Sequence, residues 1–283
     1  MIREIYPETS KELYHYCLAI SVNTPYYFPV SFACWHKSMF DDCDYDGSPL
    51  FSELKTFALI NNEIIEGYVQ FGTSAFVFNE NGEKDYTAKY GVIRNLYYLQ
   101  NAENGGLLLD KAMEYFDSKN IKKRYAFFHY LGLSCYARQG KLHHSGFYME
   151  NILATYSFKK EHENVYFSKC LQENIPDIYR DIVFIYNSDQ QSIKFMSGDE
   201  EIGGCALYFV PKSRICFLKW IYIRNDLSHQ GLGTKCMYKL FFEMREKGFV
   251  RIDTDTMDNN LNAQKYYEKT GFMNRGIMRS YCT

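Results

Sequence analysis

A repeated glycine spacing constrains this 283-residue chain more than any other feature. Gly231 is followed forty residues later by Gly271-Phe272, and Gly106 is followed at the same distance by Gly146-Phe147. Laid over each other without a gap, Tyr97 falls on Tyr222, Gly106 on Gly231, Leu107 on Leu232, Tyr115 on Leu240 and Gly146 on Gly271. Each half reads in one order: strand, Gly-containing loop, helix, strand, short helix, Gly-Phe. A repeat of this length implies two copies of one supersecondary arrangement, and a chain of this size accommodates two domains. The polar stretch Gln172 to Asp177, with Pro176, marks the expected boundary and gives domains 1–172 and 173–283.

Periodicity fills in the fold class. In the first half, Ile2 to Tyr6 reads as a strand. Ser10 is a plausible N-cap for a helix over Lys11 to Ile20, in which Leu13, Cys17 and Ile20 share one face. Pro25 and Pro29 break the chain before a helix over Phe32 to Phe40. Strands follow at Lys55 to Ile60, Ile64 to Phe78 with a bulge at Gly72, and Tyr90 to Leu99, with turn signals at Asn61-Asn62 and Asn81-Gly82. A loop from Gln100 to Gly106 opens a helix over Leu107 to Asn120, and Arg124 to Leu131 is a strand. In the second half, strands are expected at Ile182 to Tyr186, Ser192 to Met196, Cys205 to Val210, Phe217 to Arg224 and Val250 to Thr256, with a helix over Gly231 to Lys247. The class is α/β in the mixed, α+β sense.

Composition narrows the function. Net charge is -2, without a strongly basic stretch, so the electrostatic footprint of a nucleic-acid binder is missing. The nine Cys are scattered and form no Cys-x-x-Cys pair, and His143-His144 stands without nearby Cys or acidic ligands, so no metal site is expected. Free thiols in this number point to a reducing compartment, hence a cytoplasmic location. Met1-Ile2-Arg3-Glu4 begins no apolar signal region, and no apolar run is long enough to span a bilayer, so no membrane partner is expected.

The chemistry gathers in the last third. Ile221-Tyr222-Ile223 runs through Asn225 to Gln230 into Gly231-Leu232-Gly233-Thr234, a strand, a glycine turn and an amphipathic helix. Glycines there let backbone approach a ligand closely. The first helical turn points unpaired N–H groups outward, which suits a pyrophosphate. Further on, residues 260–272 read N-L-N-A-Q-K-Y-Y-E-K-T-G-F.

Together, S-H-Q-G-L-G-T and N-x-x-A-x-x-x-Y-E-K-x-G-F closely resemble the GNAT superfamily of N-acetyltransferases, over roughly residues 200 to 283. The resemblance implies two tandem GNAT-like domains, each a central mixed, mostly antiparallel sheet flanked by helices, the C-terminal one intact. It implies acetyl-CoA as acyl donor and a small-molecule or peptide amine as acceptor. Ile221, Tyr222 and Ile223 would lie along the pantetheine arm. His229, Gln230, Gly231, Leu232, Gly233 and Thr234 would take the pyrophosphate. Asn260 would contact the cofactor, and Tyr267 would sit near the thioester sulfur as general acid. Asp255, on the strand expected to reach the cleft, is the candidate general base, and Asp253 shares its facing by period-two alternation. The resemblance departs at Ser228, where Gln or Arg is expected, and at Thr254 and Thr256, where aliphatic residues are usual. In the first half, Leu108 falls where Gly233 sits, and Tyr136 and His143 lie near the position of the tyrosine acid, so that half reads as degenerate. Two other readings stand beside the acetyltransferase. An aminoacyl-transferase is disfavoured by the intact glycine turn and the lack of a basic face. A non-catalytic acyl-CoA-binding sensor or interaction module stays open.

Overall fold

The computed structural model describes residues 1–21, 24, 27–44, 46–79, 81, 83–99, 101–128, 130–171, 177, 179–188, 190–210 and 213–283. The expectations at Pro25, Gly82, Gln100 and Pro176 lie outside them. Contacts divide the chain into two units: Met1–Glu163 with Met278–Thr283, and Asn164–Ile277. The expected boundary at 172/173 lies outside the described residues; the units divide between Glu163 and Asn164, and six C-terminal residues join the first unit.

Unit 1 opens with β1 (Ile2–Glu4), α1 (Lys11–Ser21) and α2 (Phe32–Phe40). A meander follows in β2 (Phe51–Asn61) and β3 (Ile64–Ser74). Asn62 and Glu63 make its turn, both at positive φ. A small hairpin, β4 (Val77–Phe78) and β5 (Lys84–Asp85), precedes β6 (Gly91–Tyr98), α3 (Ala102–Ser118), β7 (Arg124–Ala126), β8 (Leu142–His143) and α4 (Phe147–Thr155). The sheet runs β1–β2–β3–β6–β7, antiparallel except for the parallel pair β6–β7.

The α3 helix corrects the sequence reading. It begins at Ala102, so Gly105 and Gly106 lie inside it rather than in the loop before it. Asn101 explains the early start, because its side chain accepts from the Glu103 amide as an N-cap. Arg124 to Leu131 is also shorter than expected, since the strand ends at Ala126 and Phe127 turns to positive φ.

Arg94 on β6 is fully buried. Its guanidinium donates to Asp42, to the Ser38 carbonyl and to the Leu131 and Gly132 carbonyls. This ties α2 and the 131–138 segment to the sheet. A buried cation survives only with its hydrogen bonds filled in this way.

Unit 2 takes β9 (Lys159–Cys170) from Asn164 onward, then β10 (Ile182–Tyr186), β11 (Ser192–Ser197), β12 (Glu200–Phe209) and β13 (Ile215–Ile223). Then come α5 (Leu232–Glu246), β14 (Arg251–Met257), α6 (Leu261–Lys269) and β15 (Met273–Cys282), whose last residues belong to unit 1. The sheet order is β9–β14–β13–β12–β11–β10. In α5, Cys236, Met237, Leu240, Phe241 and Met244 recur at helical spacing and are buried against Phe167, Phe195, Leu218 and Ile252. Each such large apolar side chain contributes roughly 1.5–3 kcal/mol on burial, enough to fix the start of α5 against the sheet.

Strand exchange completes both sheets. Residues 164–170 of β9 pair with β14 in unit 2, whereas Tyr281 and Cys282 of β15 pair with β7 in unit 1. Each half of the chain therefore lends its last strand to the other unit.

Candidate active site

The site begins where two strands part. Strands β13 and β14 pair in parallel only from Ile215 opposite Arg251 to Leu218 opposite Thr254. Beyond that point β13 stays with β12 as far as Ile223, and β14 stays with β9 as far as Met257. The edge of β13 from Lys219 to Ile223 is thereby released from β14. A β-bulge coincides with the split, because Leu207 faces Leu218 and Ala206 faces Trp220, leaving Lys219 as an extra residue. Bulges of this kind bend a strand and re-aim its backbone next to binding sites.

A cavity of about 400 Å³ lies at this split. Ile221, Tyr222 and Ile223 give one wall, and Leu227, Ser228, His229 and Gly233 come from the turn that follows. The opposite wall is one face of α6: Asn262, Ala263, Tyr266 and Tyr267. Of this α6 face only Tyr267 was assigned in the sequence; Asn262, Ala263 and Tyr266 were not, nor was Leu227. The i, i+1, i+4, i+5 spacing of the α6 residues was the available signal.

The turn has the expected character. Gly231 is the N-cap of α5 in the left-handed region, at φ 79°, and His229 is also at positive φ, 62°. A Cβ on Gly231 would meet no atom within 4 Å, so the backbone there is open to a ligand. Among the described residues, the amides from His229 to Thr234 donate to no protein acceptor. No acidic residue occupies the first turn of α5. Partial positive charge at this helix start is therefore uncompensated by the protein. Tyr266 stiffens the turn by donating from its hydroxyl to the Gly233 carbonyl at 2.6 Å.

Tyr267 sits at the apex. It is 5% exposed and packs on Phe167 and Phe272. Its phenol lies 3.5 Å from Thr254 Oγ1, which donates to the Leu218 carbonyl at 2.9 Å, at the last paired position before the strands part. Burial raises the Tyr267 pKa, the Thr254 hydrogen bond pulls it back down, and the charge of Asp255 adds to the rise. The phenol is therefore protonated throughout the neutral range.

Not every candidate converges. Asn260 caps α6, its side chain accepting from the Ala263 amide at 3.2 Å, and the α6 asparagine on the cavity wall is Asn262. Gln230, Gly231, Leu232 and Thr234 belong to the turn but not to the cavity lining. Asp253 and Asp255 lie on the other face of the sheet from Tyr267. There Asp253 accepts from Tyr166 at 3.0 Å and from Arg251 at 3.0 Å, and Asp255 accepts from Asn164 at 2.6 Å. Their shared facing is as expected from alternation. Asp253 is fully buried, and burial raises its pKa even against the pull of Arg251. Among the described residues, no group of three or more His, Cys, Asp or Glu could hold a metal ion. No helix there is long and apolar enough to cross a membrane.

Residues 154–272 match the acetyltransferase (GNAT) family. Among solved structures, a tandem GNAT protein from the clavulanic acid biosynthesis pathway matches over 100% of this chain and 98% of its own, with a TM-score of 0.66 at 8% identity. The chain has the tandem GNAT fold, and the family match falls in its second half. A GCN5-related N-acetyltransferase from Sphaerobacter thermophilus is similar over 100% of this chain and 95% of its own, with a TM-score of 0.63 at 8% identity. No curated protein sequence matches.

Within this tandem GNAT fold the two units differ at the helix start. Unit 2 leaves the amides at the start of α5 open, whereas α3 of unit 1 caps itself with Asn101 and carries Glu103 in its first turn. Leu108 of unit 1 is fully buried, as is Tyr136, and His143 lines a different cavity.

Proposed function

We propose that the chain is an N-acetyltransferase that moves an acetyl group from acetyl-CoA to a primary amine of a small molecule or peptide by direct attack. One observation carries this reading: a helix start with open amides and a buried, protonated phenol share one cavity. The amides of His229, Gln230, Gly231, Leu232, Gly233 and Thr234 would hold the diphosphate. The released edge of Ile221, Tyr222 and Ile223 would pair with the amides of the pantetheine arm. Asn260 fixes the start of α6, and through it the place of Tyr267.

The reaction follows from these positions. A backbone N–H of β13 near the bulge polarises the thioester carbonyl as the amine attacks. Asp255, held by Asn164 on the other face of the sheet, would take the amine's proton through water from that side. Tyr267 gives its proton to the departing sulfur. In this account 173–283 is the catalytic domain and 1–172 a degenerate GNAT-like domain. All nine cysteines are free, which fits a reducing cytoplasmic setting.

A second reading, a non-catalytic acyl-CoA-binding sensor, is favoured by one fact: among the described residues no Asp or Glu lines the cavity. Following thiol release from acetyl-CoA over a panel of primary amines separates the two. The enzyme reading expects turnover on at least one amine and a loss of about 100-fold in Tyr267→Phe. Coenzyme binding without turnover on any amine would favour the sensor.

A further inference from the structure

Unit 1 holds a cavity of about 370 Å³ that the proposed acetyl transfer does not use. Tyrosines dominate its wall: Tyr16 from α1, Tyr97 and Tyr98 from the end of β6, and Tyr148 from α4. Tyr98 and Tyr148 stand at right angles, with ring centres 5.1 Å apart. The Tyr98 hydroxyl donates to the Tyr148 carbonyl at 2.9 Å, and the Tyr16 hydroxyl donates to the Glu66 carbonyl at 3.1 Å. Both phenols are thus tied to backbone, which holds the rings in place as walls. Leu142 and Met149 add apolar surface, and among the described residues no Lys or Arg lines the cavity.

In the repeat, Tyr97 of this cavity takes the place of Tyr222 in the other. Two carboxylates stand near the unit 1 cavity, outside its lining, which also includes His143. Asn101 occupies the Glu103 amide at the start of α3, and Glu103 puts a carboxylate in that first turn. The Glu66 carboxylate accepts from Asn61 and Asn104; burial raises the Tyr16 pKa, and the nearby charge of Glu66 adds a smaller part of the rise. Carboxylates repel a diphosphate and attract a cation, and tyrosine faces carry the negative side of the ring quadrupole.

We propose that the unit 1 cavity binds a small organic cation of the alkylated-ammonium class between the rings of Tyr16, Tyr97, Tyr98 and Tyr148. This goes beyond the acetyl transfer assigned to unit 2 and needs no turnover there. The ammonium sits against the ring faces, and Glu66, outside the lining but within electrostatic reach of Tyr16, supplies the opposite charge.

The test titrates the full chain by calorimetry with choline and with its uncharged isostere, carbon in place of nitrogen. The expected result is choline binding about tenfold tighter than the isostere. Tyr148→Leu keeps the backbone carbonyl that Tyr98 uses, and it is expected to weaken choline several-fold while coenzyme A binding stays unchanged. Glu66→Gln, a nearly isosteric change, is expected to weaken choline and leave the isostere unaffected. Equal affinity for the two ligands, no binding of either, or choline affinity untouched in both variants overturns the proposal.

Discussion

Thr254 carries a hydroxyl at a buried strand position where packing alone would be served by valine. Its proton goes to the Leu218 carbonyl, and its oxygen faces the phenol of Tyr267. We expect it to act as a positioning residue for the acid. Thr254→Val should lower kcat about tenfold with KM for acetyl-CoA unchanged, and Thr254→Ser should restore most of the loss, both read by steady-state kinetics. A merely structural role would cost about 1 kcal/mol of stability in the valine variant and leave kcat alone. The threonine was visible in the sequence as a departure from aliphatic usage, but its partner was not, because a hydrogen bond across two strands and a helix has no local signature. Asp253 gives a pH prediction at the same scale. Burial raises its pKa in the fold above the unfolded value, so the native state holds this proton more tightly than the unfolded chain. Its contribution to stability is complete below the ordinary aspartate range and is lost as pH rises through the raised value. Urea midpoints measured from acid to neutral pH should fall less steeply in Asp253→Asn than in the wild type.

At the scale of elements, the start of α5 decides what the cavity admits. Gly233 lies in its first turn, and a Cβ there would meet Ile223 and Tyr266 at 3.5 and 3.6 Å, ordinary contact distances. A methyl fits, but a longer side chain must enter the cavity. Gly233→Leu is therefore expected to keep its circular dichroism and lose coenzyme A affinity by at least about 100-fold, measured by calorimetry; retained affinity would place the ligand elsewhere. This helix, the β10 to β14 strands and the α6 motif were legible because their apolar residues follow one period and their ends carry glycine or asparagine. Strands β9 and β15 were not assigned from sequence at all. Lys159 to Glu163 opens β9 with charge rather than alternation, and the partners of β9 on β14 lie far away in the chain. The start of α3 was missed because Gly105 and Gly106 resemble a loop, while the cap that sets it, Asn101, comes earlier.

For the whole molecule, exchange of terminal strands is the feature no local pattern could show. The repeat predicted two units of one design, and two units with matching sheets are present. Yet residues 278–283 complete the first unit, not the second. Deleting them should therefore loosen unit 1 selectively. Hydrogen exchange at Tyr125 and Ala126 should rise by about tenfold or more, while the amides of β12 and β13 stay protected. Loss of protection in β12 and β13 alone would contradict the division.

A diphosphate held at the start of α5 is what the proposed acetyl transfer depends on most. Its most direct test is a paired titration of the full chain with coenzyme A and with pantetheine, which keeps the arm and lacks the diphosphate. Open amides from His229 to Thr234 predict micromolar binding of coenzyme A and affinity for pantetheine weaker by about 100-fold or more. Equal affinities, or no binding of coenzyme A, would contradict it.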